Sequence, residues 1–291
     1  MTVAEALTYA FAELTAAGVE TPRFDAQLLL AWVLKARRED LARTPERLLS
    51  EREEIIFRKA VSLRTLRRPL PYITGEAWFY GRQFKINRAV LIPRPETEML
   101  VEMALQACRD VQNPTIADIG TGSGCLAVTL AAERPDAAVW ATDLSADALK
   151  EARKNVVRCG LIGRVSLLHG DLLGPLPEGL RLDVIVSNPP YVTEAEMAGL
   201  QPEVRDYEPR LALSGLGDAA GPNGTALHQR ILAEAPVYLK PGGRVLLEVG
   251  QGQAERVVEA AHALGYTDVT VTADYAQIGR VVSACLSESS Q

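Results

Sequence analysis

The chain has 291 residues, room for about two domains. It is 47% hydrophobic and 23% charged, which excludes a disordered or low-complexity protein. Its formal net charge of −6 argues against stable binding to bulk nucleic-acid phosphate. The opening run Met1 to Glu5 lacks the basic head of a signal peptide, and no apolar run approaches the roughly 20 residues of a membrane helix. The expectation is a cytoplasmic protein that does not engage membranes. Cys108, Cys125, Cys159 and Cys285 are widely spaced, as are His169, His228 and His262. Neither a metal site nor a Ser-His-Asp triad is well supplied.

Residues 1–70 predict a small helical bundle. Val3, Leu7, Phe11 and Leu14 recur at helical spacing, and Thr21-Pro22 starts a second helix through Leu28, Leu29, Trp32 and Val33. Ser50 and Glu53 form a capping box ahead of a helix with Ile56, Ala60 and Leu63 on one face. Residues 71–95 predict a linking β-hairpin and a proline-bearing link. The hairpin arms are Ala77–Tyr80 and Gln83–Ile86, with Gly81-Arg82 as a type II′ turn. Residues 96–291 begin with a helix from Glu98 to Cys108, then alternate strands and helices. Strands are expected at 115–119, 138–142, 165–168, 182–186, 245–249, 267–271 and 280–286, the fifth introduced by a turn at Lys240–Gly243. This order predicts an α/β fold with a seven-stranded, mostly parallel sheet, covered by helices on both faces.

Ligands in such folds sit beyond the carboxyl ends of the strands. The first exit is Asp118-Ile119-Gly120-Thr121-Gly122-Ser123-Gly124, a Gly-rich turn without the lysine of a P-loop. The second ends in Asp143-Leu144, an acid placed to accept from ribose hydroxyls or to cap the next helix. The third is Gly170-Asp171-Leu172, where a carboxylate can accept from an exocyclic amine. In succession they favour an adenosyl cofactor.

The fourth exit is Ser187-Asn188-Pro189-Pro190-Tyr191. Two prolines fix two φ angles and remove two N–H donors. A rigid rim of acceptors remains: the Asn188 side-chain oxygen and backbone carbonyls, with the Tyr191 ring beside them. Such a rim suits a planar group carrying NH₂. Glu248, at a strand end, is read as a capping or turn partner.

Gly120 to Gly124, Asp143, Asp171 and Asn188 to Tyr191 together resemble a Rossmann-like, S-adenosylmethionine-dependent amino-methyltransferase. Pro71–Glu76, Phe79–Gly81 and Val90–Glu98 narrow the resemblance to the HemK/PrmC family, the glutamine methyltransferases of peptide chain release factors. It runs from about Asp25 to Arg280 and takes in Leu246–Gly250 and Gln253. One departure is the segment Gly217–Gly224, longer than the family's usual turn.

The resemblance implies methyl transfer to the glutamine amide of a Gly-Gly-Gln loop, with S-adenosylhomocysteine as the other product. Asp118 and Gly120 to Gly124 would hold the methionine part of the cofactor. Asp143 with Leu144 would hold the ribose, and Asp171 with Leu172 would flank the adenine. Asn188 and the Pro189 carbonyl would hold the amide NH₂, with Tyr191 on its plane and Pro190 completing the site. No metal is implied, and a monomer is expected. The rival reading is a nucleic-acid amino-methyltransferase, since a flipped adenine or guanine also presents a planar NH₂. A non-catalytic adenosyl-binding module is the rival of another class.

Residues 35–68 carry eleven Lys+Arg against six Asp+Glu. This run, with Arg64, Arg67 and Arg68 at its end, is expected either to be a solvated face or to dock an acidic protein substrate.

Overall fold

The computed structural model describes residues 1–287. The last four residues of the expected catalytic region, 288–291, lie outside them. The chain forms two compact units. One comprises residues 1–76 together with 201–207, the other residues 77–200 and 208–291.

The smaller unit is helical: α1 (Val3–Ala16), α2 (Pro22–Leu34), α3 (Glu51–Thr65) and the short α4 (Leu70–Thr74). The Ser50/Glu53 capping box is present, and Thr2 with Glu5 forms another at the start of α1. Thr21 occupies the N-cap position with Pro22 following, but its hydroxyl donates to Asp25 Oδ1 at 2.8 Å and does not cap the helix. The buried faces differ from the expected ones. In α1 the inward stripe is Val3, Ala6, Ala10 and Leu14, while Leu7 is half-buried and Phe11 exposed. In α2 it is Ala26, Leu29 and Leu30, with Trp32 turned outward. In α3 Phe57, Ala60, Val61 and Arg64 face inward, not Ile56 and Leu63. The alanines among these, Ala6, Ala10, Ala26 and Ala60, let helix backbones approach closely. Arginines cover two of the outward rings: Arg23 lies 5.2 Å from the Phe11 centroid, and Arg38 4.9 Å from that of Phe24.

Two of the expected docking arginines are tied into this unit by ion pairs. Arg64 is buried; its Nε meets Asp25 Oδ2 at 2.7 Å and its Nη1 meets Glu203 Oε1 at 2.9 Å. Arg67 grips both Glu203 oxygens, Nε at 2.6 Å and Nη2 at 2.7 Å, and donates to the Gly18 carbonyl. Glu203, on the helical turn Pro202–Arg205, thus fastens residues 201–207 to the helical unit. Charge reversal at Arg64 would break a buried network and report nothing about docking. Removing one partner of a buried ion pair strands the other charge. Arg64→Ala is expected to cost about 3 kcal/mol in urea unfolding. Arg37→Ala, at an exposed pair with Asp40, is expected to leave the midpoint near wild type. Equal effects would contradict the network's role.

The larger unit opens with the hairpin β1 (Glu76–Phe79) and β2 (Arg82–Lys85). Its turn residues are Tyr80 (φ 48°) and Gly81 (φ 70°), so the turn falls one residue earlier than expected and is of type I′. Glu98 accepts the Tyr80 N–H at 2.6 Å, which holds an unfavourable backbone for tyrosine. Helix α5 (Glu98–Ala107) leads into β3 (Thr115–Ile119), α6 (Cys125–Glu133), β4 (Ala138–Asp143) and α7 (Ala146–Arg158). Then come β5 (Val165–His169), β6 (Leu182–Ser187), β7 (Leu239–Glu248), β8 (Thr267–Ala273) and β9 (Gly279–Cys285). Helices Ala226–Glu234 and Ala254–Ala263 flank β7 in sequence.

The seven strands lie in the order β5-β4-β3-β6-β7-β9-β8. All neighbours from β5 to β7 are parallel, and β9 is antiparallel to both β7 and β8. Central β3 and β6 are almost wholly buried, as a sheet covered on both faces requires. The Lys240–Gly243 stretch is not a turn before β7 but an irregularity within it. Pairing with β6 passes from Leu182↔Leu239 to Val184↔Arg244 across those residues.

Candidate active site

Register brings the predicted exits together. Ile119 pairs with Thr142 on one side and Ser187 on the other, and Asp143 pairs with His169. Three further bonds tie the exits. Ser187 Oγ donates to the Ile119 carbonyl at 2.6 Å, and the Gly120 and Thr121 N–H groups both donate to the Thr142 carbonyl at 2.9 Å. Strand order reverses between β3 and β6, the position where doubly wound sheets leave a crevice.

A cavity of about 490 Å³ occupies that position. Its wall includes Gly120, Thr121, Gly122, Ser123, Asp143, Leu144, Asp171, Leu172, Asn188 and Pro190. Asp118, Gly124, Pro189 and Tyr191 are not on it. Asp118 is buried beneath the glycine turn, where Oδ2 accepts from Thr121 Oγ1 at 2.6 Å and from the Ala127 N–H at 3.1 Å. Burial pushes its carboxyl up to about 7, and Oδ1 has no hydrogen-bond partner among the described residues. Asp118 therefore supports the turn from below. Tyr191 packs against Gly250: a Cβ there would lie 3.1 Å from Tyr191 Cδ2. Its carbonyl accepts from Gln253 Nε2 at 2.9 Å, and burial pushes its hydroxyl up to about 12. The ring stands behind the rim.

The glycine turn has an inner and an outer side. Gly120 and Gly122 (φ 75° and 56°) line the cavity, and a Cβ on either meets nothing within 4 Å. Gly124 (φ 80°) faces α7, where a Cβ would come within 3.2 Å of Ala152 Cβ. Asn155 anchors the turn from α7, donating to the Ser123 and Lys85 carbonyls and accepting from the Lys85 N–H. Asp143 is less free than expected: Oδ2 accepts from the Gly122 N–H and Oδ1 from the Ser145 N–H, both at 2.8 Å. Burial nevertheless raises its pKa. Asp171 meets Arg230 at 2.8 Å, so one oxygen of the expected amine acceptor is already paired.

The fourth exit shows a connection invisible in its own motif. Asn188 Nδ2 donates to Thr97 Oγ1 at 3.2 Å, and Thr97 Oγ1 donates to Glu248 Oε2 at 2.6 Å. Among the described residues Asn188 Oδ1 accepts no hydrogen bond. Glu248, expected to be a mere cap, is buried at the end of β7, and burial pushes its carboxyl up to about 7. His228 Nε2 lies 2.8 Å from the Glu248 carbonyl, and burial lowers its imidazole to about 4. It is a neutral donor at that atom, not a base. Cys125 lines the cavity with its thiol pushed up to about 12 by burial, so it is not a nucleophile. Ala89, Val90, Leu91, Pro93 and Arg94 contribute further wall residues, as do Gly215, Leu216 and Ala219, the last of them within Gly217–Gly224.

Known proteins match along the whole chain. Residues 5–75 match a model described as the PrmC N-terminal domain, and residues 95–201 one described as a methyltransferase small domain. A release factor glutamine methyltransferase of Cereibacter sphaeroides is 43% identical over 98% of this chain and 99% of its own. One from Moorella thermoacetica is 43% identical over 95% of each. The chain belongs to the release factor glutamine methyltransferase family. A solved methyltransferase structure from Pyrococcus furiosus, 19% identical, shares the fold (TM-score 0.53) over 82% of this chain and all of that one. Methyltransferases of this kind use S-adenosylmethionine in general, and the site of this family member suits it. Gly120 and Gly122 leave an open cradle on the cavity side, and two aspartates stand at the adjoining exits.

No helix among the described residues is long and apolar enough to cross a membrane. Nor is there, among them, a group of three or more His, Cys, Asp or Glu side chains that could hold a metal ion.

The two sides of the glycine turn give a test. Alanine at a left-handed position costs about 1–2 kcal/mol in strain alone. Gly124→Ala adds a close contact with Ala152, so its melting temperature is expected to fall further than that of Gly122→Ala. The reverse order would contradict the placement.

Proposed function

We infer that this protein methylates the side-chain amide nitrogen of the glutamine in the Gly-Gly-Gln loop of peptide chain release factors, in the cytoplasm. The observation that carries the reading is the Asn188 amide. It lines the cavity at the fourth exit with its nitrogen bound to Thr97 and its oxygen unengaged among the described residues. The relatives' shared name supplies the substrate.

Bound S-adenosylmethionine would supply an electrophilic methyl group. Gly120, Thr121, Gly122 and Ser123 would hold its amino-acid end over the open cradle. Asp143 and Leu144 would meet the ribose, and Asp171 and Leu172 the adenine. Each Asp143 oxygen accepts one backbone N–H and keeps a lone pair for a hydroxyl.

An amide nitrogen is a weak nucleophile because its lone pair is delocalised. The chain therefore has to align it and to stabilise the charge that develops on its hydrogens. Asn188 Oδ1 and the Pro189 carbonyl are the two acceptors assigned to those hydrogens. The Pro189 carbonyl accepts no hydrogen bond among the described residues, although Pro189 itself is buried and off the cavity wall. Pro189 and Pro190 fix the rim's backbone, and Tyr191 with Gln253 braces it from behind. Docking of the protein substrate is assigned to the helical unit, whose surface shows Leu48 and Ile55 as exposed apolar side chains.

Asn188→Ala is expected to lower transfer of labelled methyl to purified release factor at least 100-fold, a loss typical of removing one transition-state hydrogen-bond partner. Cofactor affinity by calorimetry is expected to stay within about threefold, since the partner acts on the substrate. Near-normal turnover would overturn the assigned role. Label appearing in nucleic acid and not in release factor would overturn the function.

A further inference from the structure

We propose that Thr97 and Glu248 are positioning residues that lock the Asn188 amide with its oxygen turned toward the substrate. The inference rests on the role assigned to Asn188 above. A carboxamide has two ends of similar shape and opposite chemistry: one accepts and the other donates. A rim that must receive an NH₂ group works only with the oxygen presented. Nothing in Asn188-Pro189-Pro190 itself decides which end that is.

The buried triad decides it by counting hydrogens. An ionised carboxylate only accepts. Thr97 has a single hydroxyl hydrogen, and at 2.6 Å that hydrogen goes to Glu248 Oε2. The Thr97 oxygen can then offer Asn188 only a lone pair, so Asn188 must present its NH₂, as it does at 3.2 Å. The oxygen is left for the ligand. Protonation of Glu248 permits the opposite chain. The carboxyl would donate to Thr97, Thr97 would donate to Asn188 Oδ1, and the amide nitrogen would face the substrate. A donor against a donor cannot hold the substrate amide.

The surroundings make Glu248 the group whose titration controls this. Around it are Arg94 and Glu96 from the segment before α5, Arg280 from β9, Tyr191 behind the rim, His228 from the helix Ala226–Glu234, and Cys125 from α6. Burial pushes the Tyr191 hydroxyl and the Cys125 thiol up to about 12 and the His228 imidazole down to about 4, all outside the neutral range. Glu248 is pushed up to about 7 by burial. Asp118, beneath the glycine turn, is also pushed up to about 7, so a pH profile alone does not assign the group and a variant is needed. The direction is fixed by the geometry: the productive chain needs Glu248 deprotonated, so activity falls as pH drops through its pKa.

The test uses the full-length enzyme with purified release factor. Thr97→Val, nearly isosteric, is expected to lower kcat about 10- to 100-fold, with the KM for release factor and the affinity for S-adenosylmethionine within about threefold. Thr97→Ser, which keeps the hydroxyl, is expected to recover most of the loss. In the Asn188→Ala background, Thr97→Val is expected to have no further effect, because it acts through Asn188. For the wild type, kcat is expected to fall about tenfold per pH unit below the Glu248 pKa. Glu248→Gln is expected to flatten that fall. Full kcat in Thr97→Val, or equal loss in Thr97→Ser and Thr97→Val, would overturn the relay while leaving the Asn188 role intact. An unchanged pH profile in Glu248→Gln would overturn the control by Glu248. If that variant does not fold, the pH profile of Thr97→Val decides: a fall unchanged from wild type would overturn the control by Glu248. Normal turnover in Asn188→Ala would remove the reading on which both stand.

Discussion

The site depends on the direction of one side-chain amide. Asn188 sits where β6 leaves the sheet, between two neighbours that hold the strand end in place. Ser187 bonds back to Ile119 at the tip of β3, and two prolines follow without N–H groups. The backbone can hardly move, so the remaining freedom is which end of the carboxamide faces the cavity. The Thr97–Glu248 chain removes that freedom. A hydrogen-bond chain with one hydrogen per link has a direction, and an acceptor-only group at its end sets that direction for every link.

The same economy of donors and acceptors runs through the rest of the site. Asp143 accepts two backbone N–H groups and thereby fixes the glycine turn against the start of α7, while its carboxylate remains a wall residue. Asp118 and Asn155 hold the turn from beneath and from the side. These polar groups are buried in an interior that punishes unpaired ones, and their bonds make the turn rigid. The chemistry needs that rigidity more than it needs a strong base. The reactive group arrives with the cofactor, and the His228 imidazole beside Glu248 is neutral and engaged with a backbone carbonyl.

What the sequence made legible was local. The glycine turn, the acid after β4 and Asn188 to Tyr191 each sit at the end of an apolar run, and sheet register brings those ends together. What it hid was distant. Thr97 lies 151 positions from Glu248 and 91 from Asn188, so no spacing rule connects them. Arg64 and Arg67 read as a surface charge run because Glu203, their partner, follows more than a hundred residues later. The helical faces were misjudged for another reason. Leu7 and Phe11 have the larger apolar side chains, but Ala6 and Ala10 take the packed positions. Size alone ranks a residue's burial poorly where two backbones approach closely. Asp171 looked free because Arg230 is likewise remote in sequence.

The most direct measurement is fragment mass analysis of a purified release factor incubated with this protein and S-adenosylmethionine. The account predicts a gain of ~14 Da, one added CH₂, on the glutamine of the Gly-Gly-Gln loop and on no other residue, because the rim aligns a single amide. An unmodified loop glutamine in the presence of active cofactor, or the same gain on a nucleobase, would contradict it.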